Sequence, residues 1–327
     1  MSRVSRRTFS AGLAATTASS TLQVAHAQAA WPAGQTLKFI VGFPAGGAQD
    51  IVGRIIADRL GALWNVPTII ENVSGAGGNI AMDRVAKGPA DGTQIMVIPP
   101  GFANNQFLYA RMPLDPEKDL VPLGQVASIP NLLCVRKTLA VNSVAELIAY
   151  AKANPGKLNC ASSGIGTTIH LSAELFKSMT GCDFVIIHFR GSAQIMNDML
   201  AGNVDMVFDN IPSIIEHARS GGVKALGITT LKRSSIAPEY PPVADTVPGY
   251  DTTSWIGVGV RAGTPKAICD VIEAGTKAIC KDPVLKQRLA VLVSESVDSG
   301  AAEFASYVTA ERKKWGKLIT DLKIKVE

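Results

Sequence analysis

Residues able to hold an anion without spending charge recur in this chain at one kind of place. Phe43, Pro44, Ala45, Gly46 and Gly47, with Gln49 and Asp50 behind them, follow a short apolar run and precede a helical repeat. Ser162, Ser163, Gly164, Gly166, Thr167 and Thr168 stand in the same relation to a later strand and helix, as do Phe189, Arg190, Gly191 and Ser192, and residues 74–79 form a fourth such loop. Glycine lets the backbone approach a ligand, Ser, Thr and Gln side chains donate hydrogen bonds, and free N–H groups at a helix start favour negative charge. Arg190 is the one cation in these loops and can pair a carboxylate, against the competing reading of a solvated arginine marking a turn. Asp50 reads as a first-turn helix acid with a cleft role open. Asn210, after Asp209 at the end of an apolar strand, can offer its amide. Any one loop is as often a plain tight turn. Recurrence in both halves of the chain is what points to binding.

Other chemistries fail on spacing. Gly75-Ala76-Gly77-Gly78-Asn79-Ile80 has isoleucine where a dinucleotide loop needs its last glycine, Gly164-Ile165-Gly166 is followed by Ile169, and there is no Walker lysine. Around Ser162 the order Cys160-Ala161-Ser162-Ser163-Gly164 is not a nucleophile elbow. His170, His188 and His217 show no metal-ligand spacing, so neither a metal nor a cofactor is expected, and His170, just inside a helix, is expected to support the loop before it.

The elements that must position these loops alternate. Strands are expected over residues 37–41, 68–71 and 94–98, with helices after each glycine turn, which argues for a parallel sheet. A second alternation starts with a strand over residues 132–135 and a capping box at Ser143-Val144-Ala145-Glu146. It continues with strands at 157–161, 184–187, 204–208 and 223–228 and helices at 168–179 and 193–200. A strand over residues 255–260 then runs back, and helices start near Pro265, Pro283 and Ala301. The α/β division expected is residues 30–131 plus 252–327 as a first domain and 132–251 as a second, joined twice.

Ahead of them, Arg6-Arg7, a mild apolar stretch and the small-residue sites ending at Ala27 and Ala29 read as an export signal over residues 1–29, of twin-arginine type, directing the chain to a periplasm. Cleavage after Ala27 removes three arginines and no acid from a net charge of +5, leaving +2, too little for a nucleic-acid footprint. The stretch is too short and polar for a membrane span. Cys269 and Cys280 share one expected helix at about 16 Å of rise, too far to pair. Cys160 and Cys182 could pair only from neighbouring strands, and all five cysteines are expected as small buried apolar residues.

The ordered set Gly42-Phe43-Pro44-Ala45-Gly46-Gly47-x-x-Asp50, Glu71-Asn72-x-x-Gly75-Ala76-Gly77-Gly78, Pro89-x-Asp91-Gly92, Ser163-Gly164-x-Gly166-Thr167-x-x-His170 and Arg190-Gly191, continuing to Ser254-Trp255-x-Gly257, resembles the substrate-binding family of tripartite tricarboxylate transporters, also called Bug receptors. The resemblance implies a type II-like periplasmic binding protein fold: two α/β domains, a cleft, and two crossing hinge strands. It implies that residues 43–50, 163–168 and the Arg190-Gly191 turn hold a small carboxylate, a di- or tricarboxylate, an acidic amino acid or an aromatic acid, by cleft closure. It further implies a monomer read by a membrane permease or a sensor. Ala48 and Gln49 replace the small hydroxyl or glycine residues more usual in that family before Asp50, so the longer amide bears on ligand size. An exported enzyme acting on an organic acid in the same cleft is the alternative.

Overall fold

Leu37, Phe39, Ile40 and Val41 are all fully buried in β1 (Leu37–Val41), an apolar run broken only by Lys38, as suits a strand covered on both faces. The computed structural model describes residues 31–326; the export signal expected over residues 1–29 lies outside them. After β1 come α1 (Ala48–Trp64), β2 (Thr68–Asn72), α2 (Asn79–Ala86), β3 (Gln94–Ile98) and α3 (Gly101–Leu108), and β1 pairs in parallel with both β2 and β3. A single-turn helix, α4 (Pro116–Asp119), leads into β4 (Leu120–Arg136). The second lobe follows as α5 (Val144–Ala153), β5 (Asn159–Ser162), α6 (Thr168–Thr180), β6 (Val185–His188), α7 (Ser192–Ala201), β7 (Met206–Asn210), α8 (Ile211–Arg219) and β8 (Val223–Ile228). The chain returns through β9 (Thr253–Arg261), α9 (Lys266–Lys281), α10 (Pro283–Val291), β10 (Glu295–Ser296) and α11 (Ala301–Asp321).

One strand serves both lobes. Residues 120–130 of β4 pair antiparallel with β9, and residues 131–136 pair with β7 and β8. The strand expected over 132–135 therefore begins at Leu120. Pro122, Gly124 and Pro130 interrupt its apolar period; register shifts at Pro122/Gly124 and Gln125/Ala127 absorb the first two, and Pro130 pairs with Thr253 in register where the strand changes partners. Helices α3, α4 and α8 were not expected either; α8 starts on the residue after β7, with no turn residue between to announce it. Ser143 caps α5 by accepting from Glu146 N at 3.1 Å, but Glu146 takes the N–H of Asn142 instead of closing the box on Ser143.

Where the lobes join, Thr229 binds the two connections together. Its Oγ1 accepts from Asn131 N at 2.9 Å and donates to Thr252 O at 2.6 Å, all three residues being fully buried. The first core packs β1, β3, β9 and β4 against α1, α9 and α10. The second lobe has a core on each sheet face. A small cluster of Leu108, Leu171, Trp315 and Ile319 spans the two lobes. Truncating one such buried leucine to alanine costs about 2–5 kcal/mol. The indole N–H groups of Trp255 and Trp315 both donate to Glu311, which fixes α11 on β9.

All five cysteines are free thiols. β5 and β6 are neighbours, but Cys160 faces Ile186 and Cys182 lies before β6, so the two do not meet. No helix among the described residues is long and apolar enough to cross a membrane.

Candidate functional site

The first wall is the turn between β1 and α1. Gly46 adopts φ +83°, the left-handed region that glycine enters freely, and Gly47 caps α1 without a side-chain acceptor. Asp50 holds this turn from behind. Its Oδ2 accepts from Gly46 N and Arg54 Nε, each at 3.0 Å, and its Oδ1 accepts from Asn72 Nδ2 at 3.0 Å and pairs Arg54 at 2.8 Å. Asn72 Nδ2 also reaches Phe43 O at 3.0 Å, so one residue on β2 ties both ends of the turn. Burial pushes the Asp50 carboxyl up, but the bonds from Arg54, Gly46 and Asn72 outweigh it and hold the group below its ordinary value. Gly42 permits close contact with the neighbouring loop, since a Cβ there would lie 2.9 Å from Gly78 Cα.

The second wall uses neutral groups. Thr167 caps α6, accepting from His170 N at 3.3 Å while its hydroxyl donates to Gly164 O at 2.8 Å. Gly166 N donates to His170 Nδ1 at 3.1 Å, which leaves the ring proton on Nε2, 3.5 Å from Glu174. The expected supporting role of His170 is thus given a geometry. His188 stacks edge-on against it at 5.0 Å and is held below its ordinary pKa by burial first and by His170 second.

At the start of α7, Gly191 offers no side-chain cap, and Ser192 Oγ donates to Asp209 Oδ1 at 2.8 Å. Asp209 is fully buried, its Oδ2 has no partner, and burial pushes its carboxyl up to about 7 against the pull of Ser192 and Asn210 N. Asn210 Nδ2 bridges to Asn131 Oδ1 at 2.5 Å and Thr168 Oγ1 at 3.3 Å, locking α8's start to the hinge.

Between these walls lies a cavity of about 210 Å³. Of the residues singled out from sequence, Phe43, Pro44, Ala45, Gly47, Gln49, Ser163, Gly166, Thr167, Thr168, Arg190, Gly191 and Asn210 line it. Gly46, Asp50 and Gly164 do not; they shape the turns from behind. Ala48 and Ser192, inside loops read from sequence, line it too, whereas Ile169, Ala193 and Gln194 were missed, though extending each loop by one helical turn would have found them. Pro100 and Gly101 follow β3, so the rule that ligands gather at strand carboxyl ends would have pointed there. Gly77, in the fourth loop over residues 74–79, lines it as well, whereas Ser254 had no comparable signal.

The lobes touch across the mouth. A Cβ on Gly191 would lie 3.5 Å from Pro44 Cγ, and one on Gly166 would lie 2.0 Å from Leu108 Cδ1. Five helix starts, those of α1, α3, α6, α7 and α8, reach this one cavity. First-turn N–H groups have no acceptor within their own helix, and the aligned peptide dipoles add positive potential there. Arg190, exposed at the rim, is the one charged residue of the lining, and no acid is among it.

Comparison with known proteins follows the same line. A family model described as the tripartite tricarboxylate transporter family receptor matches residues 52–324. The UPF0065 protein in the tcbD-tcbE intergenic region of Pseudomonas sp. strain P51 is 32% identical over 327 residues, covering 99% of this chain and 96% of its own length. R. palustris Rpa4515, solved with adipate, superposes with a TM-score of 0.86 at 36% identity, covering 89% of this chain and 97% of that one. The periplasmic binding protein BugD gives a TM-score of 0.85 at 28% identity, covering 90% and 99%.

Proposed function

This chain belongs to the tripartite tricarboxylate transporter receptor family, and from that premise we propose that it is a periplasmic solute-binding protein that closes on a small carboxylate. The observation that carries the reading is the convergence of five helix starts and one arginine on a cavity without an acidic side chain. Such a lining favours an anion held mainly by backbone donors. Rpa4515, similar over most of the chain, was solved with adipate, which supports an acid of that kind here.

The domains that close are residues 30–131 plus 252–327 and residues 132–251, hinged at Asn131 and Thr252. A ligand carboxylate bonded to both walls favours the closed form because only there are both sets of N–H groups satisfied at once. A permease of the tripartite type, or a sensor, then reads the closed monomer. The cleft performs no chemistry in this reading. His170 Nδ1 is occupied by Gly166 N–H and Ser192 Oγ by Asp209, so neither is poised as a base or nucleophile. Thermal melts of the exported form with aliphatic diacids, citrate, amino acids and aromatic acids are the test, with mass analysis of recovered ligand. A saturable rise with one acid returned intact is expected. No shift with any acid, or a chemically altered ligand, would overturn the reading.

A further inference from the structure

Gln49 occupies the second position of α1, borders the cavity, and is 9% exposed. Both ends of its carboxamide, Nε2 and Oε1, are shielded from solvent and have no hydrogen-bond partner among the described residues. A buried amide left unmet is destabilising at each end, and native interiors seldom keep one without a partner arriving from elsewhere. Neighbouring polar groups on the wall are already engaged. Ser192 Oγ donates to Asp209, Asn210 Nδ2 to Asn131, and Gln194 Oε1 accepts from Arg190 N. Gln49 therefore presents both a donor and an acceptor that none of the described residues uses.

The two ends ask for different things. Nε2 needs an acceptor and Oε1 needs a donor. A bare carboxylate supplies acceptors alone and sets a negative oxygen against Oε1. An ammonium group supplies the donor but carries positive charge to the positive end of α1, where no acidic side chain of the lining balances it. What remains is a neutral group with an O–H or N–H to give. We infer that the ligand is a carboxylate bearing a hydroxyl or a carboxamide at the end that meets α1, and that Gln49 separates it from the bare acid. This rests on the carboxylate reading of the same cavity.

Calorimetric titration of ligand-stripped protein tests it with matched acids: adipate against 2-hydroxyadipate and against adipamate, and glutarate against 2-hydroxyglutarate. The hydroxy or amide member is expected to bind at least about tenfold tighter than the bare diacid of the same length, since a site built to bond such a group rejects the analogue lacking it. Which derivative wins separates hydroxyl from carboxamide. In Gln49→Leu the ratio is expected to fall to near one. Equal affinities within each pair, or a ratio that survives in Gln49→Leu, would overturn the inference and leave the carboxylate reading standing, whereas no binding of any acid would overturn both. Removing two unmet polar atoms should also raise the melting temperature of ligand-free Gln49→Leu above wild type. Should that variant melt lower, the wild-type pairs decide alone.

Discussion

The two walls of the cleft are the same unit, strand, glycine turn and helix start, braced by opposite means. In the first lobe an ionised carboxylate does it: Asp50 gathers Gly46 N–H, Asn72 and Arg54. In the second the braces are a neutral imidazole accepting from Gly166 N–H, a threonine cap, and a buried Asp209 that takes the Ser192 hydroxyl. A helix start can thus be held by a carboxylate kept charged or by neutral groups beside a carboxyl pushed up to about 7, and the choice decides which wall responds to pH. Asp50, with its pKa lowered, contributes stability at every pH above the ordinary carboxylate range and loses it only in acid. Asp209, pushed up to about 7, works the other way. The folded chain holds its proton more tightly than the unfolded one, so stability falls as pH rises from about 4 to about 7. His188, held low, opposes this weakly below pH 6.5.

The contrast can be broken most forcefully at Asp50. Asp50→Ala leaves Gly46 N–H and one Asn72 N–H unmet and Arg54 without its carboxylate, and should cost about 3 kcal/mol in denaturant melts and at least about a hundredfold in acid affinity. In the second lobe, Asp209→Asn should stabilise the protein by a few kcal/mol at pH 8 and remove most of the fall in stability between pH 5 and 8, measured by melts across that range. An equal gain at every pH would show that Asp209 does not titrate as described. Gly166→Ala puts a methyl against Leu108 and forces φ +81° on alanine, so it should cost about 1 kcal/mol in stability and tenfold or more in binding, by preventing closure. His170→Gln should loosen the second turn by about 1 kcal/mol in denaturant melts while leaving the first wall intact. Arg190→Gln, at an exposed rim, should weaken acid binding the least, about threefold at low ionic strength and less in salt, read by titration at two salt concentrations.

How much of this was legible depended on whether a residue's role was local. The glycine turns, Ser143's cap and the strands at 37–41 and 94–98 follow from neighbours in sequence, and the structure places them there. The long β4 was not legible, because its partners change midway and Pro122 is tolerated only through a register shift. In the site, the loop residues and Asp50's place in the first turn could be read, but not that Asp50 stands behind the wall, since Asn72 comes from another strand. The proximity of His170 to His188 and the burial of Asp209 likewise depend on contacts between elements distant along the chain. Gln49 was visible as a departure from the usual small residues; its unmet amide was not, because burial is a property of the packed lobes.

The most direct measurement is a calorimetric titration of ligand-stripped exported protein with adipate, run beside Gly166→Ala and Asp50→Ala. A saturable one-to-one isotherm, weakened tenfold or more by Gly166→Ala and further by Asp50→Ala, is the expected result. Binding of equal strength in all three proteins, or no heat from adipate or any other small acid, would contradict closure around a carboxylate between these two walls.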